Sequence, residues 1–260
     1  MSNETVVITG ACGDIGRSLA SQFAATGARL GLCDLVDAET AKPVVAELER
    51  TGATVRYRRV DVTDQPAMQA FVAEIAREFG GLDICIANAG IVERGDLIDL
   101  SLEAWRRTME VNLTGCFITA QAAARAMMSS GRQGHIVFLS SWVQDLPREN
   151  ISAYCASKGG LKMLAKCLAL ELGPCGIRVN LVAPGWVDAG LTTKSLRINP
   201  ERRPGIERQI PLGRLQSADE LARTVRLLCS PDAGYITGAT LLVDGGASLC
   251  FRGPPRASGA

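Results

Sequence analysis

Thr5-Val6-Val7-Ile8-Thr9-Gly10-Ala11-Cys12-Gly13-Asp14-Ile15-Gly16 is the stretch on which the fold reading turns. A β-branched run passes into a glycine-rich turn, and helical spacing takes over across residues 17–25. Glycines at such a turn let the backbone approach a pyrophosphate, and the N-terminus of the next helix offers N–H donors and positive potential. No Gly-Lys-Ser/Thr follows, which excludes a P-loop. The turn therefore predicts a dinucleotide site opened by Gly10, Gly13, Asp14, Ile15 and Gly16.

Outward from this unit, short β-branched runs alternate with longer helical ones. Strands are predicted at residues 5–8, 29–33, 55–60, 82–87, 135–139, 178–182 and 240–243, with helices at 17–25, 40–50, 65–79, 102–128, 153–172 and 218–229. Several strands are apolar almost throughout, as strands buried on both faces should be. The pattern predicts an α/β fold: a single Rossmann-type, doubly wound, mostly parallel seven-stranded sheet with helices on both faces. Residues 1–250 read as one dinucleotide-binding domain without an internal repeat. Within it, residues 185–215 hold Pro200, Pro204 and Pro211, many arginines and no clean period, the mark of a substrate lid. Residues 251–260 read as a fraying tail rich in Gly, Pro and Ala.

Composition excludes several function classes. The chain has 260 residues, 47% of them apolar, and a net charge of +1, which is no electrostatic footprint for nucleic acid or an anionic membrane. No apolar run approaches a membrane span, and no basic-then-apolar leader precedes Thr5. The nine cysteines are odd in number, scattered and free of Cys-x-x-Cys, and His135 is the single histidine, so no metal site is expected. Reduced thiols in a cytoplasmic protein are the expectation.

Asp34 falls at the end of the second strand, where a carboxylate can accept hydrogen bonds from the adenosine ribose hydroxyls and repel a 2′-phosphate. No basic residue stands at Leu35 or Val36, so NAD is expected over NADP. Further on, Ser141 stands thirteen residues before Tyr154, and Lys158 follows at Tyr-x-x-x-Lys spacing. On a helix that spacing puts ammonium and phenol on one face. A free tyrosine titrates near about 10. A cation ~4 Å away at an effective dielectric near ~20 is worth roughly 4 kcal/mol, about three pKa units. Such a shift makes a tyrosine a usable general base for alcohol and carbonyl chemistry.

Together these features resemble the short-chain dehydrogenase/reductase family over nearly the whole chain. The resemblance is carried by the Thr9–Gly16 turn, Asp61-Val62, Ala87-Asn88-Ala89-Gly90, Asn112, Ser141, Tyr154 with Lys158, Pro184-Gly185 and Asp244-Gly245-Gly246. It implies that Tyr154 exchanges a proton with the substrate oxygen while hydride passes between substrate and nicotinamide. Lys158 then lowers the tyrosine pKa and holds the nicotinamide ribose, and Ser141 orients the reacting oxygen, with Ser140 as the alternative. Asn112 bends its helix and holds a water that links Lys158 to solvent. Asp61 and Val62 flank the adenine, Asn88 and Gly90 line the cofactor wall, and Pro184, Gly185 and Val187 complete its contacts. Cys155, with no histidine near it in sequence, reads as a small packing residue.

Two positions depart from the family pattern. Asp14 stands where the family has its middle glycine, which suggests that Gly13 takes the demanding backbone angles while Asp14 faces solvent. Ala189 stands where a threonine is common, leaving Thr192, Thr193 or the backbone to substitute. Trp142, Val143, Gln144, Asp145 and Leu146 are expected to enter the substrate pocket, and their polarity favours a sugar, polyol or other small hydroxyl-rich alcohol, or the corresponding ketone or lactone. The alternatives are a 3-oxoacyl reductase-type enzyme and a catalytically silent NAD-sensing scaffold. Lys194, Arg197, Arg202, Arg203 and Arg208 could attract an anionic substrate, but the stronger reading is a solvated charged face. Apolar residues on several faces of helices 102–128 and 153–172 predict subunit contacts, and the resemblance suggests a homotetramer.

Overall fold

Side chains alternate across each strand, so a strand such as Val6-Val7-Ile8 feeds two cores at once. The computed structural model describes residues 4–249; the tail expected at 251–260 lies outside them. Seven parallel strands, β1 (Thr5–Thr9), β2 (Arg29–Asp34), β3 (Val55–Arg59), β4 (Ile84–Ala87), β5 (Gly134–Leu139), β6 (Ile177–Pro184) and β7 (Thr240–Val243), lie in the order β3-β2-β1-β4-β5-β6-β7. Register pairs Val6 with Leu30 on one side and with Ile84 on the other. The seven strand positions agree with the sequence reading.

One core holds Val6, Ile8, Leu30 and Leu32 against α1 (Asp14–Ala24), α2 (Ala38–Glu49) and α9 (Ala218–Cys229). The other holds Val7, Cys33, Cys85 and Phe138 against α3 (Gln65–Phe79), α5 (Gly115–Ser129) and α6 (Ser152–Leu172). Each fully buried Leu or Phe in these layers contributes roughly 1.5–3 kcal/mol over its exposed state. The order reverses between β1 and β4, so a crevice opens at their C-terminal ends, where Gly10 and Ala89 come together.

Helix boundaries moved where caps decide them. α1 starts at Asp14 because extended Gly13 is its N-cap, and Asp37 accepts from the Thr40 amide to start α2 at Ala38. The helix predicted over 102–128 is α4 (Leu102–Met109), a π-helical turn at Glu110–Thr114, then α5. Residues 190–207 are not aperiodic. They form α7 (Gly190–Ile198), a 3₁₀ turn (Pro200–Arg202) and α8 (Arg203–Glu207). The prolines that read as breakers sit in the first turns of the latter two, where no amide partner is lost. Leu196, Ile206, Ile210 and Leu215 pack this segment onto Trp142 and Val143. No described helix is long and apolar enough to cross a membrane.

His135 on β5 is buried beside Asn180 and Arg178, and burial pushes its imidazole down to about 3. An unfolded histidine binds its proton near about 6.5. Between those values the unfolded chain holds the extra proton, so stability falls as pH falls through this window, by up to about 1.4 kcal/mol per unit from this one group. Denaturant unfolding from pH ~7 to ~4 should show that loss, and His135→Gln should flatten it.

Candidate active site

Two cavities flank the C-terminal edge of the sheet. The first, about 1100 Å³, is lined by Gly10, Gly13, Asp34, Asp61, Val62 and Gly90, among others. Gly10 carries the positive φ of the turn, +63°, and a Cβ there would press on Ala89. A Cβ on Gly16 would run into the Gly10 carbonyl oxygen, so only glycine lets α1 pack this close. Asn88 clamps the turn from the other side. Its Nδ2 donates to the carbonyls of Thr9 and Gly10 at 3.0 and 3.1 Å.

The Asp34 carboxylate accepts from the amides of Cys12 (2.9 Å) and Leu35 (2.7 Å), which fixes it at the far end of the turn. Asp61 accepts from Thr63, and Val62 beside it is buried. A glycine cradle at a helix N-terminus, an anchored acid beyond it and an elongated wall suit a dinucleotide. Val187 is buried in the core, and Ile15 is partly buried against it. Pro184 ends β6, and Gly185 packs within 2.7 Å of Asp244, counted from where its Cβ would be.

One expectation at this turn is corrected. Gly13 has ordinary extended angles, φ −73° and ψ 163°, and the demanding conformation belongs to Gly10. Asp14 is not simply solvent-facing either. Its Oδ2 accepts from the Gly190 amide at 2.6 Å, across 176 residues of chain, and so ties α1 to the first residue of α7.

The second cavity, about 530 Å³, is lined by Ser141, Tyr154, Trp142, Trp186, Gly185 and Thr192 together with three arginines. Ser141 caps a 3₁₀ turn (Trp142–Gln144) with its hydroxyl toward the Val143 amide, and Tyr154 lies in the first turn of α6. Burial pushes the Tyr154 phenol up to about 12, and hydrogen bonding with the Ser141 hydroxyl opposes the rise. Ser140 is committed elsewhere, donating to Gln144 at 2.7 Å. Between the two serines named from sequence, Ser141 is the one that faces the phenol.

Lys158 lies near one residue of each cavity, Gly90 and Tyr154. Its Nζ lies 5.6 Å from the centre of the Tyr154 ring, and a Cβ on Gly90 would sit 3.8 Å from it. Only 3% of the residue is exposed, and one of its three N–H donors goes to the Leu139 carbonyl at 2.7 Å. Burial holds this ammonium below the usual lysine range. The drop in the tyrosine pKa expected from Lys158 is therefore not a property of the protein by itself. The ammonium lies 5.6 Å from the ring centre, and burial dominates the phenol.

Asn112, fully buried in the π-helical turn, receives the Ile91 amide at 2.8 Å and donates to the Ile91 carbonyl at 2.8 Å and to Ser157 at 3.2 Å. It pins the strand-end loop carrying Gly90 to the helix carrying Lys158. π turns of this kind often mark functional sites. Cys155 packs beside Tyr154 against the Trp142 cluster, as a packing residue does.

The substrate wall differs from its sequence reading. Trp142 and Val143 line the cavity, but Gln144 is taken by Ser140, and Asp145 pairs with Lys162 at 2.6 Å. Thr192 lines the cavity near the departure at Ala189, whereas Thr193 reaches toward Asp188. Sequence reasoning missed Arg94, Arg148 and Trp186; Trp186 directly follows Pro184-Gly185, which was a usable signal.

The family profile described as "Enoyl-(Acyl carrier protein) reductase" matches residues 10–248. The chain is 35% identical over 249 residues to 3beta-hydroxysteroid dehydrogenase 1 of Eggerthella lenta, covering 96% of this chain and 95% of that one. It is 35% identical to D-threitol dehydrogenase of Mycolicibacterium smegmatis, covering 96% and 94%. Among solved structures, a short-chain type dehydrogenase/reductase from Mycobacterium marinum superposes with a TM-score of 0.89 at 33% identity, covering 96% and 97%.

Proposed function

The chain belongs to the short-chain dehydrogenase/reductase family, and from that premise we propose that it is an NAD-dependent dehydrogenase of a small secondary alcohol, with Tyr154 as its general acid/base. It is an oxidoreductase acting on hydroxyl-bearing compounds with a nicotinamide cofactor. The observation that carries the finer reading is that the buried Lys158 ammonium lies near both Gly90, which lines the first cavity, and the Tyr154 ring, which lines the second.

When bound, a nicotinamide supplies the hydride donor or acceptor and, oxidised, a positive charge that favours phenolate. The chain does the rest. Gly10, Gly13 and Gly16 admit the pyrophosphate, and Asp34 meets the adenosine ribose. The donors of Lys158 not spent on Leu139 are left for the nicotinamide ribose. In the reducing direction Tyr154, protonated at neutral pH, gives its proton to the carbonyl oxygen; in the oxidising direction it takes one from the alcohol. Ser141 holds that oxygen in place, and Asn112 keeps Gly90 and Lys158 in register.

The polyol reading is supported by the threitol-oxidising relative, now that Gln144 and Asp145 are engaged elsewhere. An acyl-carrier-linked reductase is the second reading, favoured by the description of the matching family. Exposed Phe117, Met163 and Leu170 on α5 and α6 support self-association, for which a homotetramer is proposed.

Asp34 separates NAD from NADP. Asp34→Ser should lower NAD preference at least about tenfold in kcat/KM, as loss of one charge-assisted hydrogen bond would. Initial rates with both cofactors on a panel of sugars, polyols and hydroxy acids read this, and an unchanged ratio refutes the role given to Asp34.

A further inference from the structure

Beyond Ser141 and Tyr154, the second cavity is walled by Arg94, Arg148 and Arg202. Arg148 is half-buried, its guanidinium 4.8 Å from the centre of the Trp186 ring and 5.6 Å from that of Trp142. The two indoles meet edge to face with centres 6.2 Å apart. A guanidinium stacks through its flat face, and its N–H fork lies in the plane, free to bind something else.

Nothing in the described residues takes that fork. Arg148 has no hydrogen-bond acceptor or ion pair there, and the guanidinium groups of Arg94 and Arg202 have none either; elsewhere in this region Arg203 pairs with Asp188 and Glu207, and Arg214 with Glu220. Glu149 lines the same cavity without forming an ion pair. Burial and the charges of Arg202 and Arg94 push the Arg148 guanidinium down from its ordinary range, and the nearby Cys155 and Glu149 offset only part of this. Trp186 adds a buried indole Nε1–H that also lacks a partner. Of the three like charges on this wall the outer two are exposed and the central one, half-buried and without an ion pair, gains most from an anion that completes it. The bidentate fork matches a planar or tetrahedral oxyanion.

We propose that Arg148, stacked on Trp142 and Trp186 and backed by Arg94 and Arg202, forms an anion subsite that receives a carboxylate or phosphate group of the substrate. The preferred alcohols are then hydroxy acids or hydroxyalkyl phosphates, with the anionic group held by the arginines and the reacting hydroxyl at Tyr154. This deepens the proposed function and rests on it for the position of the reacting end.

The test measures binding, so that it does not depend on turnover. Quenching of intrinsic tryptophan fluorescence is followed while β-hydroxybutyrate, β-hydroxybutyramide, glycerol phosphate and glycerol are titrated separately into the full-length protein. At low salt, at least one anion should bind tenfold or more tightly than its neutral counterpart, and whichever pair shows the gap identifies carboxylate or phosphate as the recognised group. Arg148→Met should bring that ratio close to one, and Arg148→Lys should restore only part of it. Arg202→Gln, a substitution at an exposed position, should lower the ratio several-fold and serves if Arg148→Met does not fold. If neither anion outbinds its neutral counterpart, or if Arg148→Met and Arg202→Gln both leave the ratio intact, the subsite is refuted. Failure of the parent reading looks different: Tyr154→Phe would then turn over alcohol normally while the anion preference persists.

Discussion

Tyr154→Phe should cut alcohol oxidation by about 10²–10⁴-fold in kcat, the range expected for loss of a positioned general base, with NADH binding nearly unchanged. The substitution removes one oxygen and keeps the ring that packs with Trp142, Cys155 and Trp186, so a folding defect would not explain the loss. The pH profile makes the case specific. With the phenol pushed up to about 12 by burial, only a small fraction is deprotonated at neutral pH. Oxidation by the native enzyme should therefore rise with pH by as much as about tenfold per unit where this group limits. The cationic nicotinamide moves the inflection lower but leaves the direction unchanged. Residual activity in the variant should lose that slope. Stopped-flow rates across pH and fluorescence titration with NADH read both halves. A variant that keeps its slope and most of its rate would remove Tyr154 from the chemistry, and a protein acting as a silent NAD sensor would show no turnover to lose.

Lys158→Met should separate activity from stability with opposite signs. Activity should fall by about 10²–10⁴-fold, because the same ammonium is assigned to the proton path and to the nicotinamide ribose. KM for the cofactor should rise with it. Stability should hold or increase. The native lysine is 3% exposed and has the Leu139 carbonyl as its one hydrogen-bond acceptor among the described residues. Losing that bond costs about 1–3 kcal/mol, against several kcal/mol for keeping an ammonium out of water. Burial lowers its pKa, so the unfolded chain binds this proton more readily between the lowered value and the ordinary one near about 10.4. The stability gained by Met is thus present at neutral pH and shrinks as pH rises toward ~10. Thermal unfolding across pH measures it. A variant that melts well below the native protein at neutral pH would make Lys158 a structural residue instead.

The elements that could be read from the chain are those in which one physical rule acts alone. Val6-Val7-Ile8 reads as a strand buried on both faces, and Gly10 through Gly16 as a turn opening a helix against which another backbone packs. Tyr154 and Lys158 share a helix, so their spacing already contained their proximity. What resisted reading depends on contacts between distant segments. Arg148 looks like any surface arginine until Trp186, 38 positions later by residue number, comes to lie under it. Gln144 and Asp145 looked like substrate ligands because nothing local shows that Ser140 and Lys162 claim them. The helices of residues 190–207 span one to three turns, too few for a period to emerge, and they hold through Leu196 and Ile206 packing on Trp142 and Val143. The tyrosine pKa was misjudged for a related reason. Spacing gives the distance to a charge but not the depth at which both groups are buried.

The bond from the Gly190 amide to Asp14 makes the nucleotide turn and the substrate flap mechanically interdependent. While α7 is seated, that N–H neutralises part of an acid standing at the mouth of α1. Should α7 swing out, the carboxylate is bared where an incoming diphosphate must arrive, and entry meets added repulsion. Cofactor loading and flap closure thus favour each other, and whatever loosens α7 should weaken nucleotide binding in the same proportion.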